Sequence, residues 1–508
     1  KETKIEDLEE LVGLADVGGD EQEPEDAPEF DNDYEHSDQF SNLFREDQGH
    51  AEIAFDQLKQ SVRITDSKTN GGYVWNGSKK LWVSCSADQI RNLLSPVLEK
   101  VVLHWRRVLS NDKSTDENTK ALNTSRITTL NKILKKVLTA QHSKNVFDKT
   151  KTMLMKPDFA TKIDREPDHL PIRGGKIINL KTGEVRERNI SDFFSYELNV
   201  ALADGPCHDI KKFANDIMCD NASMVNFIQE CLGYMLTGRM TGRCFFIFWG
   251  EGANGKSTLL NLVKDILGPY FAALSDEVML SLNKNGGGPS PHMLPLKEAR
   301  VGMLSEPPKD CKLNEAQIKK ISGGDPITCR GLYASQVTFD SQAKLLMVTN
   351  PKPKFDTSDT AMLDRLIFIP FDARFVDEPA AGEKKKDLVF VDRLSRNLDE
   401  AFTWLVEGAK RWYAKGCTIT PPEEIKKATM AYIADIDTIH QWLIKNTRTV
   451  AAAKTSATLL WRDYQEFCDD NSEPQQNRKE WRKALVKRYG EDFKTGGTMH
   501  FRGIELTQ

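Results

Sequence analysis

The spacing of apolar positions changes several times along the chain, most sharply near residue 244. Cys244 to Trp249 is an unbroken run of strand-forming apolar residues, which predicts a parallel strand buried on both faces. A glycine-rich polar stretch follows. Beyond it Leu259, Leu260, Val263, Ile266 and Leu267 recur at helical spacing up to Gly268, a residue suited to end a helix. Three further runs have the same buried-strand character: Arg300 to Glu306, Ala343 to Asn350, and Leu366 to Phe371 after Arg365. Strands alternating with helical stretches predict an α/β core built on a parallel sheet, over residues 205–376.

The flanks carry other periods. Residues 51–204 read as a mixed, mainly helical domain. Within it Tyr73-Val74-Trp75 and Leu81-Trp82-Val83 flank Asn76-Gly77, a hairpin signal. Ser86 and Gln89 are spaced as a capping box ahead of Ile90, Leu94, Val97, Val101 and Trp105. A further helix is expected from about Thr128 to His142, and a second hairpin around Lys176 to Val185. Residues 205–240 are helical by pattern, with Val225, Ile228, Leu232 and Leu236 on one stripe. After the core a helical region is expected over 377–449, with a new helix beginning near Tyr432. Residues 450–508 read helix, helix, hairpin, the order of a winged-helix-like module.

Charge divides the chain unevenly. Residues 1–50 hold 18 Asp or Glu against 3 Lys or Arg, so within an overall charge of −5 the remaining chain carries +10. The acidic segment lacks apolar periodicity and is expected to be a disordered tail. Its Asp31-Asn32-Asp33 reads as solvated charge rather than a metal site. A basic body favours a polyanionic partner. The nine cysteines form no C-x-x-C pair, which argues against a zinc ribbon or a disulfide framework, and no apolar run approaches the length of a membrane span.

Gly250-Glu251-Gly252-Ala253-Asn254-Gly255-Lys256-Ser257, followed by Thr258, satisfies G-x-x-x-x-G-K-[ST] between a strand and a helix. Glycines let backbone N–H groups turn toward phosphates, and the helix N-terminus adds positive potential there. Lys256 is placed to reach the β- and γ-phosphates and the Ser257 hydroxyl to ligate Mg²⁺, so ATP and Mg²⁺ are the expected ligands. Glu306 is the candidate to hold Mg²⁺ through water and polarise the attacking water. Asn350 is the candidate to orient that water or sense the γ-phosphate. Arg365 fits either a structural salt bridge or an arginine finger for a neighbour's nucleotide. In the terminal module Arg478, Lys479, Arg482, Lys483, Lys487 and Arg488 make the second helix basic, and Arg482 and Lys483 are its candidate nucleic-acid contacts.

These motifs together resemble superfamily 3 helicases of the poxvirus and phage/plasmid primase-helicase type. The resemblance rests on Gly250 to Thr258, Arg300 to Glu306, Lys320 to Arg330, Leu345 to Asn350 with Pro353, and Arg365 to Phe371, and only the acidic tail lies outside it. It implies an AAA+ fold and a homo-oligomeric, hexameric ring that hydrolyses ATP at subunit junctions and moves along single-stranded or forked DNA. Lys256 and Ser257 then form the Walker A pair, Glu306 is the Walker B acid, Asn350 the sensor and Arg365 the finger. The segment after Gly323-Gly324 resembles the family's pore hairpin, which makes Lys320, Arg330 and Tyr333 candidate DNA contacts. Two departures stand out: Ser305 replaces a second acid, and the hairpin tip has no lysine. The family commonly carries a primase domain upstream, and this chain reads as the helicase portion alone, working beside primase or other replication proteins. The implied setting is soluble and intracellular, in the cytoplasm of an infected host cell. Two other classes fit the same motifs: a ring ATPase remodelling a protein, and a non-catalytic DNA-binding scaffold.

Overall fold

The computed structural model describes residues 37–281, 290–331, 336–357, 359–471, 473 and 475–507. The chain forms two compact units, the first comprising Lys1–Asn179 and Glu184–Asn199 and the second Leu180–Gly183 and Val200–Gln508.

In the first unit the hairpin forms where Asn76-Gly77 placed it. Gly72–Asn76 pairs antiparallel with Leu81–Cys85, Trp75 opposite Trp82. Ser86 and Gln89 close the capping box, and Ile90, Leu94, Val97, Val101 and Trp105 are all buried, although the helix is split at Leu93 into Ala87–Asn92 and Leu94–Ser110. Two expectations are corrected. The acidic tail was drawn to residue 50, but the chain is helical from Asp38, capped by Ser37, because Phe40 and Leu43 anchor Asp38–Leu43 in the core. One helix from Thr128 to His142 is in fact two, Glu117–Val137 and Ala140–Met153, with Thr139 capping the second by accepting from the His142 N–H. Residues 1–36 lie outside the described residues.

The second unit is built on a five-stranded sheet, its strands numbered here β1 (Phe245–Trp249), β2 (Phe271–Ala273), β3 (Val301–Ser305), β4 (Lys344–Thr349) and β5 (Leu366–Pro370). All neighbours are parallel and the spatial order is β5-β1-β4-β3-β2. Phe245 to Phe248 are wholly buried, as a strand covered on both faces requires. Helix α1 (Lys256–Leu267) follows β1 and ends at Gly268, φ +50°. This is an AAA+-type P-loop core with a parallel sheet. On one side Ala222–Leu236 packs on Leu398–Ala414 at near backbone contact: a Cβ on Gly233 would lie 2.1 Å from the Ala409 nitrogen, and one on Gly408 2.1 Å from the Gln229 carbonyl oxygen.

The terminal module is larger than the sequence pattern suggested. Glu423–Ile436 ends before Asp437, whose carboxylate accepts from the Ile439 and His440 N–H groups and starts Thr438–Asn446, so Tyr432 belongs to the earlier helix. Thr438–Asn446 is followed by strand Thr447–Ser456, helices Ala457–Asp470 and Arg478–Tyr489, and strands Phe493–Thr495 and Thr498–Leu506, the long last strand lying between the other two. That is the winged-helix order, with a first helix that lies before the 450–508 boundary and a strand, Thr447–Ser456, that the boundary cuts and the sequence pattern did not show. Trp442 of the first helix is fully buried and donates through Nε1 to Asp463 Oδ1 at 2.6 Å. No described helix is long and apolar enough to cross a membrane.

Candidate functional site

Parallel strands present all their carboxyl ends along one edge, and there the sequence candidates meet. Thr349 of β4 and Pro370 of β5 are both level with Trp249 of β1, and Ser305 of β3 is level with Val348. Gly250, Glu306 and Asn350 therefore leave the same edge. The loop after β1 folds tightly over it. The Gly250 N–H approaches the Thr349 carbonyl at 3.4 Å, and a Cβ on Gly250 would stand 2.3 Å from Asn254 Nδ2 and 2.6 Å from the Phe371 oxygen. Only glycine fits. Gly255, φ +82°, is held from behind by helix His208–Ile217, where an added Cβ would come within 2.5 Å of Ile217 Cγ2.

Lys256 opens α1 and is 5% exposed. Its Nζ donates to the Gly250 carbonyl at 2.6 Å and lies 3.5 Å from Asn350 Oδ1. Among the described residues no carboxylate pairs with it. Burial pulls its pKa below the ordinary 10.5. A buried ammonium whose partners are neutral oxygens, in the first turn of α1, is an arrangement that an anion would complete. Ser257 is exposed beside it. Glu306 is exposed, sits at φ +51°, and gives its N–H to the Val348 carbonyl at 2.9 Å, which fixes the strand end that presents its carboxylate. A non-glycine residue in that region stores strain, a common mark of functional positions.

The sequence reading missed a brace on this loop. Asn254, 4% exposed, donates from Nδ2 to the Phe371 carbonyl at 3.2 Å, and the Phe375 N–H donates to the Ala253 carbonyl at 2.7 Å. The only available signal was position, since Phe371 to Phe375 follow β5 out of the same edge. The loop after Asn350 is tied in the other direction. Trp249 Nε1 donates to the Asn350 carbonyl at 2.6 Å, Lys352 pairs with Asp435, Tyr432 Oη donates to the Pro353 carbonyl at 2.5 Å, and Lys354 meets Glu473 at 2.9 Å.

Arg365 is not with this group. It precedes β5, and its carbonyl accepts from the N–H of Phe245 at the start of β1. Five residues of β1 separate that level from Gly250, about 16 Å of strand. Arg365 thus lies at the amino edge, beyond reach of the phosphate loop of its own chain. Its Nη1 donates to the Ala361 carbonyl at 2.6 Å, and it makes no ion pair among the described residues.

The candidate nucleic-acid contacts fall in two places. Between β3 and β4, Ile327–Arg330 and Gln336–Phe339 form an antiparallel hairpin with Arg330 opposite Gln336. Arg330 is exposed on it, Lys320 is exposed on the preceding helix Glu315–Gly323, and Tyr333 lies outside the described residues. On the basic helix of the winged module, Lys483 is 72% exposed. Arg482 is engaged within the module: its Nε and Nη2 grip Asp492 at 2.8 and 2.5 Å, and that hydrogen bonding holds the Asp492 carboxyl below its usual range.

Strand order, a glycine loop leading into α1, and an acid and an asparagine on adjacent strand ends define a P-loop core of AAA+ type. Residues 54–219 match the family described as D5 N terminal like, and residues 248–365 match a family of unknown function. A protein of Acanthamoeba polyphaga mimivirus named as a helicase is 26% identical over 71% of this chain and 38% of its own length. The primase D5 of Fowlpox virus is 28% identical over 34% of this chain and 22% of its own, and the uncoating factor of Vaccinia virus 24% identical over 50% and 35%. The chain thus resembles the poxvirus-type D5 primase-helicases, with their N-terminal-like region at residues 54–219, and it spans less than two-fifths of the length of these relatives. The solved C-terminal region of NrS-1 superimposes with a TM-score of 0.46 at 11% identity, covering 90% of this chain and 99% of that one, a likeness too slight to carry an argument.

Proposed function

We propose that this chain is the ATP-driven motor of a DNA helicase that acts as a ring on single-stranded or forked DNA. The observation that carries the reading is Lys256, a buried ammonium bonded only to neutral oxygens inside a cradle that admits no side chain at Gly250, with Asn350 and Glu306 leaving the same sheet edge. A triphosphate supplies the missing negative charge. The residues present also suit Mg²⁺: Ser257 and Glu306 are two hard oxygen donors, and a magnesium site completed by phosphate and water needs few protein ligands. Bound there, the metal would neutralise charge between the β- and γ-phosphates.

In this mechanism Lys256 and the loop N–H groups hold the phosphates. Glu306 takes a proton from the attacking water, and Asn350 orients that water or the γ-phosphate. Arg365, remote from its own loop, serves the nucleotide of the next subunit, which makes a closed ring, six-membered by family resemblance, part of the proposal. Lys320, Arg330 and Tyr333 face the DNA in the ring, and Lys483 adds a backbone contact from the winged module. The test is steady-state ATP hydrolysis with and without single-stranded DNA, together with strand displacement on forks bearing 5′ or 3′ tails. Hydrolysis stimulated by DNA and ATP-dependent displacement are expected. Hydrolysis indifferent to DNA, without displacement, would favour a protein-remodelling ring, and no hydrolysis at all would leave a binding scaffold.

A further inference from the structure

The helix Glu117–Val137 in the first unit is long, yet only Asn123, Leu130 and Val137 are buried along it. These three mark one line, and the opposite half of the helix faces solvent. That outer half carries Lys120, Thr124, Thr128, Lys132, Lys135 and Lys136, all exposed, and the other exposed positions among them are Ala121, Leu122, Ser125, Thr129 and Asn131. No carboxylate occurs anywhere from Asn118 to Phe147, in a chain with 75 Asp and Glu among 508 residues. A merely solvated helix usually mixes signs, as other helices here do: Lys410 pairs with Glu407 and Lys426 with Glu423 within a turn. On this face Lys120, Lys132 and Lys135 make no ion pair among the described residues; Lys136 alone meets an acid, Asp47, at 3.0 Å.

We propose that this face binds the phosphate backbone of duplex DNA, at a site separate from the ATPase core and its hairpin. Lysine ammoniums with hydroxyl and amide groups are the side chains that contact phosphate and sugar without reading sequence. From Lys120 to Lys136 the face runs about 24 Å, long enough to follow several phosphates. It offers no aromatic side chain among its exposed residues, and sequence-independent binding of single strands relies on stacking platforms. That contrast selects the duplex backbone over unpaired bases.

The site is tested in the full chain without nucleotide, so that failure of the ATPase reading leaves the result intact. Binding of a blunt 20-base-pair duplex and of a single-stranded oligonucleotide is measured by fluorescence anisotropy across a salt series. The variant Lys120→Ala/Lys132→Ala/Lys135→Ala should bind duplex about tenfold or more weakly at low salt, with a log–log salt slope smaller by about 2.7, three phosphate contacts' worth. Single-strand affinity and basal ATP hydrolysis should not change, and Lys→Arg at the same three positions should restore duplex binding. An unchanged duplex affinity and slope, or an equal loss for both DNA forms, would overturn the proposal. So would carbodiimide cross-links joining Lys132 or Lys135 to acids of residues 1–36 that added duplex does not diminish, which would assign the face to the chain's own acidic segment.

Discussion

The two edges of the central sheet both gather cations, and they treat them differently. At the amino edge Lys344 and Arg300 are among the most buried residues of the protein. Arg300 Nη1 donates to the Leu236 carbonyl at 2.5 Å and lies over the Tyr270 ring. Lys344 Nζ bonds the Thr237 carbonyl and the Gln342 carbonyl at 3.1 Å and lies over the face of Tyr234 at 4.9 Å, and burial pulls its pKa well down. The acceptors at Leu236 and Thr237 are at the carboxyl end of helix Ala222–Leu236, the end where the helix dipole favours positive charge. At that edge the chain's own carbonyls and aromatic rings cover both cations. At the carboxyl edge Lys256 is bonded to two neutral oxygens and pairs with no carboxylate among the described residues, so its charge is left for a ligand to balance. Position along the same strands thus separates cations that hold the fold from the one proposed to hold a substrate.

The largest test of this division is Lys256→Ala, which should lower ATP hydrolysis by roughly three orders of magnitude or more and sharply weaken nucleotide binding, because the ammonium that offsets phosphate charge is gone. Glu306→Gln should lose turnover by about two to four orders of magnitude yet keep nucleotide affinity. Equilibrium binding alongside steady-state rates separates the two, and similar affinity losses in both variants would refute the assigned roles.

Arg365 belongs to the amino edge by position but not by burial, and its variant asks which side of the comparison it is on. Arg365→Ala should bind ATP nearly normally and hydrolyse it about a thousandfold more slowly, since a finger acts on charge that develops during transfer. Mixed with Lys256→Ala under subunit exchange, it should regain part of the activity at junctions that pair an intact Lys256 with an intact Arg365. No recovery at any ratio, with exchange verified and ring-wide coupling excluded, would return Arg365 to a role within its own subunit.

Lys344→Met should spare nucleotide affinity and instead lower stability by about 2–5 kcal/mol, because buried carbonyls at Thr237 and Gln342 lose their donor. Denaturant unfolding reads this directly, and an unchanged midpoint would mean that the amino edge does not depend on its cations. The smallest effect is one of pH. Burial lowers the pKa of Lys256, so the ammonium is lost at a lower pH than the ordinary 10.5, and nucleotide affinity should begin to fall on the alkaline side below that value. Lys256→Arg, whatever its absolute affinity, should lack this alkaline decline.

What could be read in advance follows from which forces act locally. The phosphate loop, its strand and its helix were legible because turn, strand and cap each impose a residue type at a fixed position. The apolar runs ending at Glu306 and Asn350 were legible because both faces of those strands are buried. The strand Thr447–Ser456 was not, since only Thr447 along it is buried and its Val-Ala-Ala-Ala centre follows no two-residue period. The helix Asp38–Leu43 was hidden by the acids around it, and two apolar side chains placed by tertiary packing decide its structure. Arg300 and Lys344 read as ordinary polar strand ends, and only the fold brings them under a helix terminus. Arg365 illustrates a different limit: its spacing in the chain suggested two roles, and the level at which it enters the sheet removed its own phosphate loop from reach.

The brace on the loop after Asn350 has a mechanical consequence. Pro353 and Lys354, three and four residues past Asn350, are fastened to Tyr432 and to Glu473, and Glu473 lies between the two long helices of the winged module. Only two residues separate Asn350 from the first of these fasteners. If Asn350 answers to a bound nucleotide as proposed, its displacement would pass to these fasteners, and the terminal module would feel it as a pull on a short line.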